Sequence, residues 1–228
     1  MVNALANHGY LPRDGKNVSL AVLITGAKDG INLAPDTTLL VGIKALQTSS
    51  TGNFLTFHLD DLNKHGSKYL PLSDAFPHRE KKKLTKQVIE HDGSLSRQDF
   101  ASGDNHSFSP EVFHQFISRF PTDGTISIEA AAEARAARLA DAKASNPSFD
   151  LGADGARFSA IESSLYQVVF GQGTEGHARV EWVRTLFEQE RLPVEEGWSR
   201  SAKALTTAQI LEVQKKIEAV DTTSTSTA

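Results

Sequence analysis

The sequence of 228 residues contains no cysteine. That absence excludes disulfides, thiolate catalysis and thiolate metal ligation for this chain, and it leaves the redox compartment unreadable. Long apolar runs are also missing: none approaches the roughly 20 residues that span a bilayer, so no membrane partner is expected. The stretch from Met1 to Asn17 is polar and lacks the apolar core of a signal peptide. Basic charge is not in surplus either. With 24 Lys and Arg against 28 Asp and Glu, the formal charge is −4, which argues against nucleic acid or an anionic surface as partner. What remains is 39% hydrophobic content with both charge signs mixed, the composition of an ordinary globular protein long enough for one good core or two small ones.

Against that plain background one stretch is dense in chemistry. Glu90-His91-Asp92-Gly93-Ser94 places two carboxylates, an imidazole and a hydroxyl in five consecutive residues, and Asp99 and Gly103-Asp104-Asn105-His106 follow closely. Two readings are open from the residues alone. One is a solvated turn whose Asp92 or Ser94 caps a following helix. The other is a cluster of acids, bases and hard-metal ligands.

Around it, the pattern is helical. Val2, Leu5 and several alanines have helical spacing up to Gly9, with no capping residue ahead of Val2, so the sequence reads as beginning inside an element. Ser19 is expected to cap a helix to about Gly30. Asp36 is expected to cap one over Thr37–Leu46, with Leu39, Leu40, Ile43 and Leu46 facing a core. Phe54–Leu59 reads as a brief extended piece, and Asp60–Gly66 as a run ending helically at glycine. Pro110–Phe120 is amphipathic with proline in its first turn. Ser127–Ala144 is alanine-rich, with Glu129 early and Arg135, Arg138 and Lys143 late, complementing the helix dipole. Helices are also predicted over Ala156–Phe170, Ala178–Gln189 and Thr206–Val220. Glu162 falls among the apolar residues of the first of these. It either points outward or lies in a partly dry pocket suited to acid–base chemistry.

The fold class this implies is all-α: one helical domain of about eight helices over 1–220, without a convincing sheet, followed by a disordered tail over 221–228. Such a domain can hold a buried cofactor between helices. Residues 67–87 fit no period and carry the basic run Arg79-Glu80-Lys81-Lys82-Lys83, so they read as an atypical insertion.

Four ordered blocks carry a resemblance. Asn3-Ala4-Leu5-Ala6-Asn7-His8-Gly9-Tyr10-Leu11-Pro12-Arg13-Asp14-Gly15, Glu90-His91-Asp92-Gly93-Ser94-Leu95-Ser96-Arg97, Gly103-Asp104-Asn105-His106-Ser107-Phe108 and Arg191-Leu192-Pro193-Val194-Glu195-Glu196-Gly197-Trp198 resemble the fungal chloroperoxidase and unspecific peroxygenase family of heme-thiolate enzymes. The resemblance implies a heme b cofactor, hydrogen peroxide and a small organic molecule as substrates, and oxygen transfer, halogenation or one-electron oxidation as the reaction. Carried over by position, it makes Glu162 the catalytic acid–base, with His91 and Asp92 as its hydrogen-bonding group. It makes Glu90, the His91 carbonyl and the Ser94 hydroxyl ligands of a magnesium or manganese ion beside a heme propionate. Members of the family are commonly secreted.

Two features depart from the pattern. The axial Cys-Pro of the family would directly precede Met1, and it is absent from the sequence; His8 is the nearest imidazole and reads as structural. The run Asn63-Lys64-His65-Gly66 would continue directly into Val88-Ile89-Glu90 were 67–87 removed. Its Ser67-Lys68 and Lys86-Gln87 ends are encodable by donor-like and acceptor-like splice sequences. The segment is therefore read as a translated intron or, if real protein, as a basic insertion beside the acidic motif. The alternative function is a non-catalytic helical protein that keeps the fold and binds a ligand or a metal.

Overall fold

Three helices begin at a serine cap that the sequence offers. The hydroxyls of Ser19, Ser109 and Ser127 accept the backbone N–H of Val22, Val112 and Ala130, starting α2 (Leu20–Ile31), α4 (Pro110–Ile117) and α5 (Ile128–Ser145). The computed structural model describes residues 1–65, 89 and 91–224, with side chains through 220, so the 67–87 insertion lies outside the described residues. The other helices are α1 (Val2–Asn7), α3 (Pro35–Gln47), α6 (Gly152–Gly171), α7 (Val180–Gln189) and α8 (Thr207–Ser224). Eight α-helices among the described residues make the fold all-α.

Strands are confined to two small antiparallel ladders. β1 (Val18–Ser19) pairs with β2 (Thr56–Phe57), and β3 (Thr125–Ile126) with β4 (Ala178–Arg179). A 3₁₀ turn covers Leu59–Asn63, where the sequence suggested a helical run.

Three expectations need correction. Asp36 does not cap α3: Ala34 holds that position, Pro35 opens the helix, and the Asp36 carboxylate accepts the Thr207 hydroxyl at 2.7 Å. That bond holds its pKa below the usual value. Of the apolar repeat of α3, Leu46 packs against the core, but Leu39, Leu40 and Ile43 do not. Thr37, Thr38, Gly42 and Ala45 are buried, whereas Leu39, Leu40 and Ile43 are 40%, 60% and 46% exposed. The physical reason is close approach: a Cβ on Gly42 would lie 2.6 Å from Leu20 Cδ2, so α3 presents its small residues to α2. Finally, helix extends past Val220 to Ser224, against the expected disordered tail from 221. Asp221-Thr222-Thr223-Ser224 has no glycine or proline to stop it.

α8 lies against both α5 and α6, and α2 against α3. Phe113 and Phe116 of α4, Tyr166 of α6 and Phe187 of α7 form one aromatic cluster, and burial pushes the Tyr166 hydroxyl pKa up. The segment 199–205 joins two helices that matter below. Leu205 bridges Leu33 just before α3, and the Ser199 carbonyl accepts Gln172 Nε2 at the end of α6. Moving away from this segment thus runs forward along α3 and backward along α6.

Candidate functional site

The loop after residue 90 is fixed to α5 by buried charge. Arg138 of α5 donates Nε to the Ser94 carbonyl at 2.9 Å and pairs through Nη2 with Asp99, whose side chain is 4% exposed. Asp99 also accepts the Gly93 N–H at 3.0 Å. Gly93 takes φ of +81°, and a Cβ there would come within 2.4 Å of Leu139 Cδ2, so only glycine lets the loop lie this close to α5. Arg135 and Arg138 are therefore buried, at 1% and 8% exposure, rather than solvated charges at a helix end.

Asp92 belongs to this scaffold. One carboxylate oxygen accepts the N–H of Phe100, opening a 3₁₀ turn, and the other accepts Asn146 Nδ2, each at 2.9 Å. His65, stacked on Phe100 with ring centroids 4.4 Å apart, brings Nδ1 to 4.0 Å from Asp92. Asp92 does accept an N–H at the start of a 3₁₀ turn, but at 2% exposure it is buried rather than solvated, and Asn146 draws the carboxylate toward α5.

His91 turns the other way. Its Nδ1 lies 2.8 Å from the Asp92 carbonyl, and a carbonyl can only accept, so Nδ1 carries a proton. Nε2 then faces Glu162 Oε2 at 3.3 Å, with the imidazole 4% and the carboxylate 55% exposed. The two atoms are placed so that a proton could pass between them. Of the two sequence readings of Glu162, the outward one describes it; the dry partner is the histidine.

The start of α1 adjoins the pair. Burial first, then the Arg97 guanidinium, lowers the Met1 amine pKa to about 6, and Glu190 and Glu162 oppose that shift. Glu190 accepts Asn3 Nδ2 at 2.8 Å and lies 3.8 Å from Arg97 Nη2. His8 accepts the Leu192 N–H through Nε2 at 3.0 Å, which commits it to structure.

For the proposed cation ligands, Glu90 lies outside the described residues. The Ser94 hydroxyl faces its own turn, accepting Ser96 N–H at 3.4 Å. Among the described residues no three His, Asp or Glu side chains converge on an ion. Sequence reasoning missed the clamp of Asp99, Arg138 and Asn146. The available signal was two arginines three apart within an alanine-rich helix, a spacing that puts both on one face.

The family profile described as "Peroxidase, family 2" matches residues 1–203. The chain belongs to peroxidase family 2. Relatives of this family 2 peroxidase include an aromatic peroxygenase of Coprinellus radians, 32% identical over 84% of this chain and 74% of the relative. Another is an aromatic peroxygenase of Cyclocybe aegerita, 29% identical over 84% of this chain and 52% of the relative. The chain thus spans about half the length of the second.

Family 2 membership makes the chain one of the heme peroxidases and peroxygenases, and it implies a heme. The residues present meet only part of that requirement. His91 and Glu162 place an imidazole and a carboxylate 3.3 Å apart, but the 228 residues include no cysteine and the nearest candidate imidazole, His8, is bonded to Leu192. A thiolate-ligated heme therefore does not fit this residue set.

Proposed function

We propose that this chain carries the acid–base half of a peroxide-dependent peroxygenase or peroxidase. The observation that supports the reading is the 3.3 Å approach of His91 Nε2 to Glu162 Oε2. A half-exposed carboxylate can meet hydrogen peroxide, accept a proton from one oxygen and return it to the other. The buried imidazole, fixed by the Asp92 carbonyl, keeps that carboxylate in position and exchanges the proton with it. Asp92 acts at one remove, by holding the loop through Phe100 and Asn146. Oxygen transfer, halogenation and one-electron oxidation of a small organic molecule all need this proton step.

The second reading is a helical binding protein without peroxide chemistry, and the lack of cysteine favours it. A magnesium or manganese ion at Glu90, the His91 carbonyl and Ser94 is compatible with either reading.

The test is to add a Cys-Pro lead ahead of Met1 and compare this protein with the unmodified chain. The proposal expects a thiolate-type ferrous–CO spectrum and peroxide turnover only in the extended form, with turnover abolished by Glu162→Gln. Heme uptake with turnover insensitive to Glu162→Gln would overturn the acid–base assignment. No heme uptake by either form would leave the binding-protein reading.

A further inference from the structure

Two partly exposed helix faces meet at Lys44 and Phe158, although Ile161 and Leu165 of α6 also pack against the core. On α6, Asp154, Phe158, Ile161, Glu162 and Leu165 recur at intervals of three and four and stay at least partly exposed, while Ser159, Ser163, Tyr166 and Gln167 are buried on the other side. On α3, Leu40, Ile43 and Lys44 form the matching strip. The contact between them is Lys44 Nζ, 4.1 Å from the centroid of the Phe158 ring.

The order along the two strips follows from the 199–205 segment. It ties the start of α3 to the end of α6, so stepping back one turn from Lys44 to Leu40 goes the same way as stepping forward from Phe158 to Glu162. Leu40, 60% exposed, and Ile43, 46% exposed, thus lie on the Glu162 side of the Lys44–Phe158 contact. Four residues of helix put that contact about 6 Å along α6 from Glu162.

The charges that act on Lys44 are mixed: Asp154 is anionic and Arg157 cationic. The Lys44 ammonium is partly desolvated, and that is the first cause of its lowered pKa, with Asp154 opposing and Arg157 adding to the effect. An ammonium has three donors, and the Phe158 face engages one side of it, leaving donors for an anion.

We propose that Lys44 is a specificity-determining residue that anchors the acid group of an organic acid whose apolar body lies along Leu40 and Ile43 toward Glu162. The inference rests on the proposed function for what happens at Glu162, but not for binding. It names the substrate class as anionic amphiphiles rather than neutral hydrocarbons.

The test uses the chain as it stands, without peroxide. Calorimetric binding of phenylbutyrate is compared with that of phenylbutanol, which has the same body and no charge. The acid is expected to bind at least about tenfold tighter than the alcohol. Lys44→Met should bring the two to near parity, and Lys44→Glu should favour phenylbutylamine; matching thermal unfolding of the variants checks their fold. Equal binding of acid and alcohol by the wild-type chain, or an acid preference that survives Lys44→Met, overturns the proposal. An intact acid preference, alongside peroxide turnover by the cysteine-extended form that is insensitive to Glu162→Gln, would sink the proposed function alone. A lost preference with turnover still dependent on Glu162 would sink the anchor alone.

Discussion

His91 Nε2 stands 3.3 Å from Glu162 Oε2, one partner sealed from solvent and the other more than half exposed. The pair therefore separates function from stability. In the cysteine-extended protein, Glu162→Gln should lower peroxide turnover by roughly 10²–10⁴-fold, the usual share of general acid–base catalysis. Its stability in urea unfolding should stay within about 0.5 kcal/mol of the parent, since the side chain fills no core. The double variant with His91→Asn should lose no more turnover than Glu162→Gln alone, because groups acting as a unit are not additive. Losses that multiply would show two independent roles.

The Arg138–Asp99 pair behaves in the opposite way. Both side chains are under one-tenth exposed, so Arg138→Met strands a buried carboxylate and should cost about 3–5 kcal/mol in urea unfolding. Replacing both partners together should cost less than Arg138→Met alone. A single-variant loss below about 1 kcal/mol would show that the loop is not clamped to α5.

Asp61 gives the chain an acid limb. Burial raises its pKa, but bonds from Lys64, Ser50 and the His58 N–H outweigh that and bring it down to about 2. The folded value thus lies below the ordinary value near 3.9, and the folded state binds fewer protons between the two. The contribution is complete above about pH 4, shrinks as pH falls, and is gone below about pH 2. Lys64 is 41% exposed, so screening limits the effect to about 1–2 kcal/mol. Asp61→Asn should flatten stability over that window while leaving the slope above pH 5 unchanged.

The orientation of α3 is open to a packing test. Leu40→Gln and Ile43→Gln should each leave stability within about 0.5 kcal/mol, since neither residue is buried. Gly42→Val drives methyl groups into Leu20 and Leu23 and should cost about 1–3 kcal/mol. The reverse ranking would mean that α3 is rotated toward its apolar face.

Helix ends were the most legible part of the sequence. Ser19, Ser127 and Asn146-Pro147 mark boundaries through local hydrogen bonding and sterics, which need no knowledge of neighbours. The facing of α3 was not legible. Leu39, Leu40 and Ile43 carry the periodic signal, yet packing distance to α2 selects the small residues, and distance is not encoded in periodicity. The same holds for the site. The motif located His91, and an isolated carboxylate among apolar residues located Glu162, but the opposite headings of His91 and Asp92 depend on Asn146 and Arg138, more than 40 residues away in sequence. Strands of two residues, such as Thr125–Ile126, are too short to leave a period-two signature.

α6 keeps its two sides apart. Ser159, Ser163 and Gln167 are locked into the interior, while Phe158, Ile161, Glu162 and Leu165 share the opposite strip. Variation at the exposed Glu162 and the partly exposed Phe158 can therefore accumulate with little folding penalty, whereas Ile161 and Leu165 also pack against the core. A lineage built on this scaffold is free to drift in what it accepts while the residues that hold the bundle stay fixed.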